Sequence, residues 1–188
     1  MNFSEEINNN LKCCFTGYRP SKFSFDIYNK EDYFYKQFEN SLIEEILKLA
    51  KLGCRTFYTG MAMGFDMIAA EIVLLVKNAY DTPLELICVL PFLNQSDSFY
   101  PYWKNKYDKI ISQCDSKICL NEQYQKGCYQ KRNKFMVDNS DYVLTWYDGK
   151  SGGTRNTLDY AAKIGRHIIN ANKERTENFA VQTYFEII

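Results

Sequence analysis

Three short stretches of this chain concentrate residue types suited to holding an anion. They are Thr16-Gly17-Tyr18-Arg19-Pro20, Gly60-Met61-Ala62-Met63-Gly64-Phe65-Asp66, and Asp148-Gly149-Lys150-Ser151-Gly152-Gly153-Thr154-Arg155. Glycine lets a backbone come close to a ligand, and the free N–H groups at a helix start turn a positive dipole end toward it. Arg19 and Arg155 add cations to two of the stretches. Glycines also serve tight turns, but three such loops on one edge of a sheet favour a phosphate cradle. The spacing is neither the dinucleotide-binding GxGxxG nor a P-loop, because Gly149-Lys150-Ser151 lacks the upstream glycine.

Two carboxylates stand out beside these loops. Glu71 lies inside Met67-Ile68-Ala69-Ala70-Glu71-Ile72-Val73-Leu74-Leu75-Val76, a helical stretch apolar on all sides. A charge buried there costs several kcal/mol unless paired. An ion pair with a nearby arginine is the structural reading, and contact with a sugar hydroxyl, or acid–base work, the functional one. Asp66 sits in the first turn of the same helix, where it stabilises the helix start or meets a ribose. The run Lys131-Arg132-Asn133-Lys134 offers Arg132 and Asn133 to a cleft. Tyr18, Phe92 and Tyr147 could flank a base. His167, the one histidine, falls in a strand and reads as structural rather than catalytic.

The elements that must position these residues alternate between short β-like runs and longer helical ones. Strands are expected at 11–16, 55–59, 84–90, 117–120, 142–146 and 166–170, with helices at 32–52, 64–79, 102–114, 127–139 and 154–164. The run Leu84-Glu85-Leu86-Ile87-Cys88-Val89-Leu90 has the composition of a central parallel strand. A βαβα order predicts a Rossmann-like, three-layer α/β/α fold with a mostly parallel sheet. Ligands of such sheets bind beyond the carboxyl ends of the strands, where the three loops fall. One domain over 1–188 is expected, with a core at about 11–170 and a tail or helix at 171–188.

Composition narrows the class. Hydrophobic residues make up 46% of the 188, and 30 are aromatic, which excludes disorder for most of the chain. Lysine plus arginine and aspartate plus glutamate both number 23. That balance and a pI near 6.6 argue against general binding of nucleic acid or a membrane surface. Seven cysteines without CxxC spacing and a single histidine exclude a Cys/His zinc site, so no metal and no cofactor is expected. Thiols in apolar runs, a polar acidic N-terminus and the lack of a long apolar stretch point to a cytoplasmic protein.

Thr16–Pro20 (TGYRP), Gly60–Asp66 (GMAMGFD) followed by Ala69-Ala70-Glu71, Pro91-Phe92, the segment GCYQKRNKFMVDNSD at 127–141 and YDGKSGGT at 147–154 resemble the YpsA-like branch of the SLOG superfamily, over about residues 11–170 and in the same order. The resemblance implies a compact Rossmann-like fold and a nucleotide-type ligand at the strand ends, with NAD- or ADP-ribose-related molecules the favoured class. Members occur in bacteria and on mobile elements, phages included. The related Lonely Guy hydrolases carry an Arg-Lys pair with a nearby Met and a PGGxGTxxE motif. Arg132 and Met136 match the first, but Asn133 stands at the lysine position and Thr157 at the glutamate position. That weakens the reading as a nucleotide N-glycosidase or phosphoribohydrolase, in which Glu71 and Arg132 would be the catalytic candidates. DprA/Smf proteins, which bind single-stranded DNA, share a loop like 60–66, so single-stranded DNA binding of that type is a further alternative, to which the neutral net charge gives no support.

The resulting expectation is a protein that senses or sequesters a small nucleotide derivative, without turning it over. Its binding residues would be Thr16, Gly17, Tyr18, Arg19, Gly60, Met61, Ala62, Met63, Gly64, Asp66, Glu71, Phe92, Arg132, Asn133, Tyr147, Asp148, Gly152, Gly153, Thr154 and Arg155. Homo-oligomers are expected from the wealth of aromatics. Membrane and nucleic-acid partners are not.

Overall fold

In the computed structural model, the structure describes residues 10–173. The expected terminal helix beyond Lys173 lies outside them. Six strands form one all-parallel sheet: β1 (Leu11–Gly17), β2 (Cys54–Thr59), β3 (Glu85–Leu90), β4 (Ser116–Cys119), β5 (Tyr142–Trp146) and β6 (His167–Asn170), in the order β4-β3-β2-β1-β5-β6. Five helices connect them: α1 (Tyr33–Lys51), α2 (Phe65–Ala79), α3 (Pro101–Gln113), α4 (Cys128–Asp138) and α5 (Gly153–Lys163). The architecture is Rossmann-like, and every expected element is present with its ends shifted by a residue or so.

Local chemistry explains the boundaries. The Asp32 carboxylate caps α1, accepting from the backbone N–H of Phe34 at 2.8 Å and of Tyr35 at 3.0 Å, which satisfies two orphan donors. Tyr35, Phe38, Leu42, Ile46 and Leu49 recur at helical spacing and form its buried stripe. Helix α2 buries ten of its fifteen residues, because it packs on the sheet while α1 and α3 flank it. Glu71 is one of the five left accessible and is described below.

Strand alternation divides the core in two. Cys13 and Phe15 join the layer beneath α1, α2 and α3, whereas Cys14 faces the layer beneath α4 and α5. The chain builds outward from β1 through β2, β3 and β4, then crosses back to add β5 and β6 on the other side of β1. The order therefore reverses at the β1–β5 junction, where Thr16 pairs with Thr145 and Gly17 with Trp146. Loops leaving neighbouring strands part there in opposite directions and open a crevice.

All seven cysteines are free thiols; Cys119 is exposed, Cys114 half-buried and the other five buried. Among the described residues no cluster of three His, Cys, Asp or Glu could hold a metal ion. None of the described helices is long and apolar enough to cross a membrane.

Candidate functional site

The crevice at the β1–β5 junction holds a cavity of about 530 Å³. Its floor is the end of β1 and the following loop, contributing Thr16, Gly17, Tyr18 and Arg19. Ala62 and Asp66 line it from the start of α2, Arg132 and Asn133 from α4, and Gly153 and Thr154 from the start of α5. Ten of the residues expected from sequence thus surround one space.

The loop between β2 and α2 is folded around two glycines. At Gly64 the backbone has φ +99°, and a Cβ would strike the Tyr18 carbonyl, which accepts from Phe65 N–H at 3.0 Å. A side chain would therefore separate the first two loops. At Gly60 a Cβ would overlap the Arg132 guanidinium, whose Nη1 donates to the Gly60 carbonyl.

Arg132 is only 3% exposed, and Asp66 5%. Burial pushes the Asp66 carboxyl above its usual range, while Arg132, Arg19 and the amides of Ala62 and Gly60 pull it back. Burial likewise lowers Arg132, and Asp66 opposes that shift. Amides that the sequence assigned to phosphate thus face Asp66, and of residues 60–64 Ala62 alone lines the cavity.

From Arg132 a polar chain crosses the cavity wall. Its Nε donates to Asn133 Oδ1 at 2.8 Å, Asn133 Nδ2 donates to Thr157 Oγ1 at 2.9 Å, and that hydroxyl donates to the Gly153 carbonyl at 2.9 Å. The Thr154 hydroxyl donates to the Gly17 carbonyl at 3.0 Å and ties α5 to β1. On the rim, Tyr18 donates to Asp148, whose own N–H donates back to the phenol oxygen at 3.2 Å, and Lys150 pairs with Asp148 at 2.7 Å. Burial first, and the bond to Asp148 second, push the Tyr18 phenol above its ordinary range.

Other expected residues lie elsewhere. Glu71 follows Asp66 by five positions, about 140° round the helix at 100° per residue, and it pairs with Lys106 of α3 in a separate hollow. Its side chain is 29% exposed, so the helix is not apolar all round, and its partner is a lysine rather than an arginine. Met61 and Tyr147 are core residues, 0% and 1% exposed. Met63 packs against the larger core layer, and Gly152 only precedes α5. Arg155 reaches along α5 to Asp159 at 2.8 Å, and Asp148 acts through Tyr18. Phe92 packs on Tyr124 and Tyr129. His167 is exposed on the edge strand, its ring 5.2 Å from that of Tyr142.

Sequence reasoning missed Lys22, Tyr129, Lys134, Asn156 and Tyr160, all of which line the cavity. Helical spacing held the signal for Tyr129, one turn before Arg132, and for Thr157, which also lines the cavity one turn after Gly153. Lys134 lies 4.7 Å from the centre of the Tyr160 ring, so the two meet across α4 and α5.

The profile of the family described as "YspA SLOG family" matches residues 13–178. The chain belongs to the YpsA family of SLOG proteins. A curated relative of this YpsA-family protein, the uncharacterized SPbeta prophage-derived protein YoqJ of Bacillus subtilis, is 30% identical over 135 residues, which span 65% of this chain and 77% of that one. Two solved structures share the fold. DprA from Helicobacter pylori, from a study of its single-stranded DNA binding mode, superposes with TM-score 0.55 at 22% identity, over 95% of this chain and 80% of that one. DprA from Streptococcus pneumoniae gives TM-score 0.54 at 20% identity, over 86% of this chain. This YpsA-family chain spans only half the length of that pneumococcal chain.

Proposed function

We propose that this protein binds a small phosphate-bearing nucleotide derivative in the β1–β5 crevice, of the ADP-ribose, cyclic ADP-ribose or NAD-related class. The observation that carries this is a local imbalance of charge in a chain that is neutral overall. The cavity is lined by Arg19, Lys22, Arg132 and Lys134 against the single carboxylate of Asp66. The first turn of α5 adds N–H groups at Gly153 and Thr154, and anions are favoured at such a helix start. A volume of about 530 Å³ falls within the range of small-molecule sites.

Binding without turnover is the reading the wall residues support. At the two positions where the Lonely Guy pattern has a lysine and a glutamate, Asn133 and Thr157 form an uncharged, mutually bonded pair. The remaining lining carboxylate, Asp66, is buried with Arg132 as its chief counter-charge, and Glu71 is outside the cavity. Sequestration of a signalling nucleotide suits a chain whose relative is prophage-derived.

A thermal-shift series against ADP-ribose, cyclic ADP-ribose, NAD, AMP and oligothymidylate, with mass spectrometry of each incubated ligand, tests this. A ligand at 100 times its Kd adds about 2.7 kcal/mol, several degrees for a domain of this size. A shift with the nucleotide recovered intact is the expected result. Recovery of free base would make the protein a hydrolase. A shift with oligothymidylate alone would favour the DprA-like alternative.

A further inference from the structure

Among the described aromatic residues that join neither core layer, three form one cluster beside the cavity. Phe92, at the carboxyl end of β3, lies 5.7 Å from Tyr124 and 6.0 Å from Tyr129, ring centre to ring centre, and the two tyrosines are 6.3 Å apart. Tyr124 is 63% exposed and Tyr129 36%. Tyr129 also lines the cavity, one helical turn from Arg132, so the ring cluster is continuous with the cation-rich space.

The segment carrying Tyr124 is held rather than free. Asn121 Nδ2 donates to the Pro91 carbonyl at 2.6 Å, Lys131 Nζ donates to Asn121 Oδ1 at 3.2 Å, and Cys128 N–H donates to the Gln125 carbonyl at 3.0 Å. These bonds join the residue before Phe92, the loop and the first turn of α4. Rings held in place in this way lose little conformational freedom on meeting a ligand. By contrast Tyr147 is turned into the core at 1% exposure, and Tyr18, on the cavity floor, is 3% exposed with its phenol engaged by Asp148.

We infer that Phe92, Tyr124 and Tyr129 form a stacking subsite at the mouth of the cavity, for the base of a small nucleotide whose phosphate sits among Arg19, Arg132 and the α5 start. This rests on the phosphate reading of the cavity and adds to it which end of the ligand faces outward and what holds that end.

The test is isothermal titration of wild type, Tyr124→Ala, Tyr129→Ala and Tyr124→Trp with ADP-ribose and with ribose 5-phosphate, which lacks a base. Base–aromatic stacking predicts that each alanine variant weakens ADP-ribose binding roughly 5- to 150-fold. Ribose 5-phosphate binding stays unchanged, and Tyr124→Trp keeps ADP-ribose affinity. Circular dichroism melting checks that the exposed substitutions leave the fold intact. Equal ADP-ribose affinity in all four proteins overturns the stacking subsite while leaving the cavity reading in place. So does binding of ribose 5-phosphate as tightly as ADP-ribose. If wild type binds neither compound, the phosphate reading itself falls, and the subsite with it. Tight oligothymidylate binding that the alanine variants abolish would assign the rings to a single strand instead.

Discussion

Asn133 of α4 and Thr157 of α5 are joined across the cavity wall by a hydrogen bond of 2.9 Å, from the amide Nδ2 to the hydroxyl oxygen. The bond is one link in a chain running from the Gly60 carbonyl through Arg132, Asn133 and Thr157 to the Gly153 carbonyl. It therefore couples the loop after β2 to the start of α5. No charge sits at either of its two central positions.

Thr157→Val should unfold more easily by about 1–3 kcal/mol, because the Asn133 amide loses its acceptor beside a buried Arg132. Urea denaturation measures the loss. Thr157→Ser keeps the hydroxyl and should recover most of it, so equal destabilisation by the two substitutions would count against the hydrogen bond.

Gly60→Ala should abolish the proposed nucleotide binding by evicting Arg132. A Cβ at position 60 overlaps the guanidinium, and Asp66 then loses its main counter-charge. Arg132→Ala should destabilise, because it removes the bonds to Gly60 and Asn133 and leaves the buried Asp66 carboxylate without its chief counter-charge. Adding Asp66→Asn should restore part of that stability, and a double-mutant cycle by chemical denaturation reads the coupling.

Glu71→Gln should leave ligand affinity within about twofold, because the carboxylate is outside the cavity and serves Lys106. Stability should fall by about 1–3 kcal/mol, since Lys106 is only 8% exposed and burial already depresses its pKa. A large loss of affinity without loss of stability would reassign Glu71 to the ligand.

Asp148 gives the rim a pH dependence of definite sign. Burial works against its charge, but hydrogen bonds from Lys150 and Tyr18 outweigh it and hold the carboxyl below its ordinary 3.8. A depressed folded-state pKa contributes stability that is complete above 3.8 and lost as pH falls through the folded value. Denaturation midpoints taken from pH 5 to pH 2.5 should therefore drop more steeply for wild type than for Asp148→Asn.

Much of this fold was legible in the chain itself. Periodicity and apolar patterning are local signals, so element types and their order could be read to within a residue or so, from the helix expected at 32–52 to the apolar run of β3. The three glycine-bearing loops were legible for the same reason, since strand–loop–helix order puts them on one sheet edge. The reversal of strand order between β1 and β5, which opens the crevice, depends on long-range pairing and has no local signature. Rotation about a helix axis had similar consequences. It sent Glu71 to Lys106 and Asp66 to Arg132, although both acids share α2. Packing likewise buried Tyr18 and Tyr147 and left Tyr124 and Tyr129 at the surface, a choice that residue type alone cannot express. The sequence thus determined which elements form and which loops gather, because those follow from neighbours along the chain. Tertiary structure decided which side chains meet in the cavity, because that follows from contacts between residues as far apart as Gly60 and Arg132.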